Sequence, residues 1–193
     1  MENEKPGTAA PPPVSKPLSE AELLDAHSGL VYNLALRLVG NPSDAEDLAQ
    51  DALIRALRAL PSFRGECQTA TWLYRITVNT WKNRVRAEKR RGLWKMVSLG
   101  LFTGEDHDEE PAFKADDPPL DAGLGAGETA GAVQKALAEL DDDSRAVVVL
   151  RDIEGQSYQE IALALGLPEG TVKSRISRAR DTLKAKLLKL VRP

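Results

Sequence analysis

Ser157–Leu188 reads SYQEIALALGLPEGTVKSRISRARDTLKAKLL. Ser157 and Glu160 form an S-x-x-E capping box, so a helix opens at this point. Ile161, Leu163, Ala164 and Leu165 make that helix apolar. Gly166 ends it, because the residue after a last turn often needs positive φ. Leu167-Pro168-Glu169-Gly170 turns the chain, and Thr171 is placed to cap a second helix. There Val172, Ile176, Ala179 and Leu183 recur at helical spacing and share one face. A rotation of about 100° per residue puts Ser174, Ser177, Arg178 and Asp181 opposite that face. Lys173, Arg175 and Arg180 flank it, and Thr171 lies at its N-terminal end. Two capped helices around a tight turn, the second basic, make a helix-turn-helix. Such a motif reads base edges with the N-terminal residues of its second helix.

The plainer reading of a basic helix with an apolar stripe is a solvated surface helix. The Gly-x-Pro-x-Gly turn between two capped helices is what lifts DNA reading above a mere charge pattern.

The charge distribution agrees. The formal net charge of the 193 residues is −3. That mean hides three blocks. Arg75–Lys95 holds eight bases against Glu88, and Lys173–Arg192 holds eight against Asp181. Between them Glu105–Glu128 holds nine acids against Lys114. Two basic segments flanking an acidic one provide two candidate nucleic-acid surfaces.

Outward from these blocks the chain divides. Residues 1–17 are proline-rich with few large apolar side chains, and read as a disordered tail. Residues 18–97 carry three helices. Ser19-x-x-Glu22 opens the first, which runs to about Gly40 with Leu23, Leu30, Leu34 and Leu38 inside. Asn41-Pro42 breaks the chain. Ser43-x-x-Glu46 opens the second, which runs to about Leu60 with Leu48, Ala52, Ile54 and Leu57 apolar. The loop Pro61–Gly65 precedes a third long helix, about Thr69 to Arg91. Residues 98–131 mix acids with glycine and proline and read as a flexible linker. Residues 132–193 form a second unit of four helices, roughly 132–140, 144–153, 158–165 and 170–189. The fold class is all-α: two small helical bundles on an acidic tether.

Other chemistry is sparse. Cys67 is the only cysteine, which suits a reducing cytoplasm and excludes an internal disulfide. His27 and His107 lack partners at ligand spacing, so no metal or cofactor is expected. Asp141-Asp142-Asp143 reads as a helix start, and no constellation suggests catalysis. No apolar run is long enough for membrane insertion.

The third helix interleaves rings and bases: Trp72, Tyr74, Arg75, Trp81, Lys82, Arg84, Arg86. Rings stack on unpaired bases while cations track phosphates, so the mixture suits melting DNA. Trp72, Leu73 and Ile76 read as core. Tyr74, Asn79, Lys82, Asn83 and Arg86 are the better contacts. On the second helix Asp44 and Glu46 oppose the helix dipole. Asp47, Gln50 and Asp51 share a polar edge fit for a basic partner.

DAEDLAQDALIRALRALPSFRGE followed by TWLYRITVNTWKNRVR resembles region 2 of bacterial sigma factors of the extracytoplasmic-function (ECF) class. LAELDDDSRAVVVLRDIEGQSYQEIALALGLPEGTVKSRISRAR resembles region 4. The resemblance implies a non-enzymatic, cytoplasmic subunit that binds core RNA polymerase and directs initiation at promoters of a stress or envelope regulon. Carried over by position, Asp47, Gln50 and Asp51 match the polymerase contact. The Ser62–Thr71 loop and the following helix match the reader of the −10 element, with Arg64, Gln68, Thr69, Tyr74, Asn79, Lys82, Asn83 and Arg86 as its residues. Thr171, Lys173, Ser174, Arg175, Ser177 and Arg178 match the reader of the −35 element. Thr69 and Ala70 stand where relatives often place aromatics, with Gln68 before them. Promoter DNA and core polymerase are the implied partners, with an anti-sigma factor on a separate chain as a third. Two readings compete: a helix-turn-helix regulator with a sensing or dimerising first bundle, and a helical adaptor that binds only proteins.

Overall fold

The computed structural model describes residues 19–100 and 126–191, with side-chain positions at 19–92 and 131–188. The described residues contain helices and no strand. The tail 1–17 and most of the acidic linker lie outside them. No described helix is long and apolar enough to cross a membrane.

Helix α1 spans Glu20–Val39. The backbone N–H of Ser19 donates to the Glu22 carboxylate at 2.8 Å, and the N–H of Glu22 donates to Ser19 Oγ at 3.2 Å. This reciprocal cap contributes about 1 kcal/mol. Gly40 closes the helix at φ 90°, a conformation that favours glycine.

Helix α2 spans Pro42–Ala59. Its start corrects the sequence expectation. The cap is Asn41, whose side chain accepts from the N–H of Asp44 at 2.8 Å, and Ser43 lies inside the helix. Proline drives the preceding residue to extended backbone, which is N-cap geometry. Its missing donor loses nothing in a first turn. Asn41 accordingly sits at φ −134°, ψ 148°. A 3₁₀ turn, Leu60–Ser62, follows.

Helix α3 spans Thr69–Gly100, well past the expected end. Nothing between Gly92 and Gly100 is a proline, and one interior glycine costs only about 1 kcal/mol. Helix α4, Ala126–Ala138, begins earlier than expected because AGETAGAVQKALA is rich in alanine, the best helix former. The two helices therefore take residues 98–100 and 126–131 from the expected linker.

Helix α5, Asp142–Val148, is capped by Asp141, whose carboxylate accepts from the N–H of Ser144 at 2.9 Å. A π-helical turn, Val149–Ile153, continues it. Helices α6, Tyr158–Leu165, and α7, Glu169–Val191, form the helix-turn-helix.

Helices α1 to α3 pack on one another, and α4, α5 and α6 each pack on α7. The two units also pack together. Helix α3 lies on α6, and α1 meets α4 and the turn after α5. Leu38, Leu48, Leu73 and Trp81 of the first unit and Leu137, Val147, Leu150 and Ile161 of the second are all buried in one continuous core. The tethered-bundle reading contains the two units but not this contact.

Candidate nucleic-acid interface

The helix-turn-helix forms as its residues dictate. The N–H of Ser157 donates to the Glu160 carboxylate at 2.8 Å, and the N–H of Glu160 donates to Ser157 Oγ at 3.2 Å. Gly166 takes φ 65° at the end of α6, and its N–H donates to the carbonyl of Ala162. The next cap differs from expectation. Helix α7 begins at Glu169, and the N–H groups of Thr171 and Val172 both donate to the carbonyl of Pro168. Thr171 is thus inside the first turn. Pro168 fixes its own φ, so the chain enters the helix directly after it.

Val172, Ile176 and Ala179 are buried, as their spacing demands, and Leu183 packs against their edge. The opposite face is open: Lys173, Ser174, Ser177 and Arg178 are exposed. Arg178 Nε donates to the carbonyl of Ser174 at 3.3 Å, and Ser174 Oγ donates to the carbonyl of Thr171 at 3.0 Å. Lys173 pairs with Glu169 at 2.7 Å and lies over the Tyr158 ring. The Glu169 carboxylate holds the ammonium above its ordinary pKa. Arg175 is different: it is half-buried and pairs with Asp143 at 2.8 Å. Arg180, on the far flank, pairs with Asp152.

On α3 the expected contacts divide. Asn79, Asn83 and Arg86 are exposed at helical spacing and form one stripe, which Arg75 extends. Lys82 borders the stripe, half-buried, with its ammonium 2.5 Å from Asp143. Tyr74 departs from expectation, and Trp81 is buried with it. Tyr74 is 3% exposed, and its hydroxyl donates to the Glu154 carboxylate at 3.0 Å. Burial and the negative charge of Glu154 push its pKa well up. Trp81 is 2% exposed beneath the Arg145 guanidinium. Neither ring can stack on a base in this arrangement, because the second unit covers the side of α3 on which they lie.

The loop before α3 remains accessible. Arg64 and Gln68 are exposed, and Thr69 is half-buried at the helix start. Phe63 stacks on Trp72 with ring centroids 4.6 Å apart, so the loop has its own aromatic pair. Sequence reasoning missed this pair, since Phe63 lies nine residues before its partner. Cys67 sits half-buried in the same loop, where burial pushes its thiol pKa up.

On α2, Asp47, Gln50 and Asp51 are exposed along one edge. Among the described residues no cation pairs with either aspartate. Ile54, one of the apolar residues of α2, is 47% exposed and continues that edge one turn further. The edge therefore combines two carboxylates, an amide and an apolar side chain.

The model of sigma-70 region 2 matches residues 23–91, and that of sigma-70, region 4, matches residues 130–183. The ECF RNA polymerase sigma factor SigE of Mycolicibacterium smegmatis is 42% identical over 170 residues, 87% of this chain. The match spans 61% of that relative's length. The ECF RNA polymerase sigma-E factor of Escherichia coli K12 is 39% identical over 162 residues, 84% of this chain and 83% of that one. Similar solved structures include two complexes. One is the sigma factor RpoE of Bartonella quintana in complex with the anti-sigma factor NepR: 32% identity, TM-score 0.62, covering 90% of this chain and 98% of that one. The other is CnrH in complex with the cytosolic domain of CnrY: 28% identity, TM-score 0.57, covering 90% and 89%. This chain belongs to the ECF sigma factors of the sigma-70 family, proteins of transcription initiation.

Proposed function

We propose that this chain is a cytoplasmic, non-catalytic subunit that docks on core RNA polymerase through α2 and places two DNA readers on a promoter. Asp47, Gln50, Asp51 and Ile54 form the docking edge. Arg64, Gln68 and Thr69 of the loop, with Asn79, Lys82, Asn83 and Arg86 of α3, meet the −10 element as it melts. Thr171, Lys173, Ser174, Arg175, Ser177 and Arg178 of α7 meet the −35 element. In domain terms, 18–97 carries the polymerase and −10 roles, 132–193 carries the −35 role, and 98–131 joins them.

The reading rests chiefly on one observation: both sigma-70 regions occur in one chain, in order, at residues 23–91 and 130–183. The physical support is local. Exposed hydroxyl and guanidinium groups at the start of α7 are suitable partners for base edges in a major groove. Exposed amides and cations on α3 suit a strand whose bases are leaving the duplex. The solved RpoE complex with an anti-sigma factor supports a protein partner of that kind for this chain as well.

The test is reconstitution. Purified chain mixed with core polymerase should yield promoter-specific transcripts. Asp47→Lys combined with Gln50→Ala should abolish polymerase association in a pull-down titration. The same variant should shift folding stability by only about 0.5 kcal/mol, because the edge is exposed. Undiminished polymerase affinity would remove α2 as the docking site.

A further inference from the structure

Asp143 stands between the two readers. Its carboxylate meets Lys82 of α3 at 2.5 Å and Arg175 of α7 at 2.8 Å. Beside it Asp142 pairs with Lys89 of α3 at 2.9 Å. One acidic helical turn thus neutralises bases drawn from both DNA-facing sets. Asp141 is the N-cap of α5, so Asp142 and Asp143 are not needed to cap the helix start.

The rest of the seam is polar as well as apolar. Tyr74 donates to Glu154, and Arg75 donates to the carbonyl of Leu163. Arg145 Nη1 donates to the carbonyl of Leu38 at 2.8 Å. The same guanidinium lies over Trp81, yet its Nε is buried with no partner among the described residues. An unpartnered buried donor is costly. A seam held by exchangeable polar links, with one donor left unmet, is suited to opening.

We propose that the acidic turn Asp142–Asp143 is a built-in competitor for promoter phosphates, holding Lys82 and Arg175 in a closed chain and releasing them when the two units part. The inference rests on the reading of Lys82 and Arg175 as DNA contacts. In the closed form these two cations are spent on carboxylates and Tyr74 is covered, while the outward face of α7 and the stripe of Asn79, Asn83 and Arg86 stay open. DNA that reaches Lys82 and Arg175 must displace the aspartates, so closure and DNA contact at these two cations exclude each other.

The experiment uses the full chain. Asp142→Asn with Asp143→Asn removes the charges and keeps the Asp141 cap. Glu20→Gln with Asp25→Asn removes the same charge from exposed positions on α1. Each protein is titrated with fluorescein-labelled oligo(dT) and with a mixed-sequence duplex, and its radius is measured by small-angle scattering. Circular dichroism checks that helix content is kept. The α5 variant should expand and bind both probes about three- to thirtyfold more tightly, the range expected when a few surface ion pairs stop competing. Adding Lys82→Ala and Arg175→Ala to it should return affinity to the starting level. Equal tightening by the α1 variant would reduce the effect to net charge and overturn the proposal. A chain that neither expands nor tightens would overturn it too. In that case, loss of promoter-directed transcripts in Lys82→Ala and Arg175→Ala proteins assayed with core polymerase would leave the DNA reading intact. Expansion without tighter binding, together with undiminished transcripts from those two variants, would instead sink the DNA reading and the competition with it.

Discussion

On α7, Ser174, Ser177 and Arg178 are exposed on a helix whose opposite face is buried. On α3, Tyr74 is buried and Lys82 is held by a carboxylate of the second unit. Both helices carry hydroxyl and cationic groups, so their chemistry does not explain the difference. Their neighbours do. Helix α7 packs on α4, α5 and α6 of its own unit through one stripe. Helix α3 packs on α1 and α2, then receives α6 on a further side. A reader that rests on one unit is presented by local folding. A reader that serves as a seam is presented only as far as the seam allows.

The comparison breaks most sharply if the stripe under α7 is removed. Ile176 is buried against the rest of the helix-turn-helix. Ile176→Ala should destabilise the chain by about 2–5 kcal/mol in urea unfolding. It should also erase the upstream preference, because the outward face exists only while the inward face is packed. An unfolding midpoint within error of the original would mean that α7 is oriented by something other than this stripe.

A smaller effect sharpens the same point. Ser174→Ala and Arg178→Ala change only the open face. Each should reduce discrimination in the upstream promoter element by about 1–3 kcal/mol if the residue reads a base directly. Lys184→Ala, two turns beyond Ser177 and exposed, should weaken all sequences alike and lower the salt slope by about 1. Uniform losses from all three would show a helix that holds phosphates and reads nothing. On the α3 side, Phe63→Ala removes the stack on Trp72, worth about 0.5–1.5 kcal/mol beyond the area buried. It should alter the preferred downstream base and leave the upstream element untouched, as sequenced transcripts from a randomised promoter would report.

Much of this was written locally. Ser19 with Glu22 and Ser157 with Glu160 cap their helices because a hydroxyl and a carboxylate three residues apart can meet whatever else the chain does. Val172, Ile176 and Ala179 share a face by period alone. The exceptions are also local, and instructive. Ser43 and Thr171 looked like caps, but a preceding proline in each case moved the helix start upstream. Ile54 and Leu163 are apolar, and 47% and 51% exposed, because hydropathy does not say which turn of a helix lacks a neighbour. The site's residue roles came from the resemblance to sigma regions 2 and 4, not from spacing. The link from Lys82 to Asp143 spans 61 positions and depends on how two finished units dock. No periodicity in either segment encodes that.

The smallest effect concerns what loosens the seam. Tyr74 Oη must keep its proton to donate to Glu154. Its folded pKa is raised above the ordinary value of 10.0. A raised pKa means that this link is fully present below pH 10.0 and is lost only as pH climbs through the folded value. Asp143 behaves inversely. Its hydrogen bond from Lys82, with the charges of Lys82 and Arg175, holds its carboxyl below 3.8 despite partial burial and the repulsion of Asp141. That contribution is present above pH 3.8 and lost as pH falls through the lower folded value. Between these limits neither group titrates, so acidity in the ordinary range leaves both links unchanged. Salt acts differently, because the pairs at Asp142 and Asp143 are partly exposed and are screened as ionic strength rises. Scattering should therefore report a radius that is flat between pH 6 and 9 and grows with added potassium chloride. Tyr74→Phe, which removes one hydrogen bond worth about 1 kcal/mol, should move that growth to lower salt and delete the late step from the ultraviolet tyrosine titration. A radius that responds to pH across that range, or a late step that survives Tyr74→Phe, would place the seam's control on groups other than these.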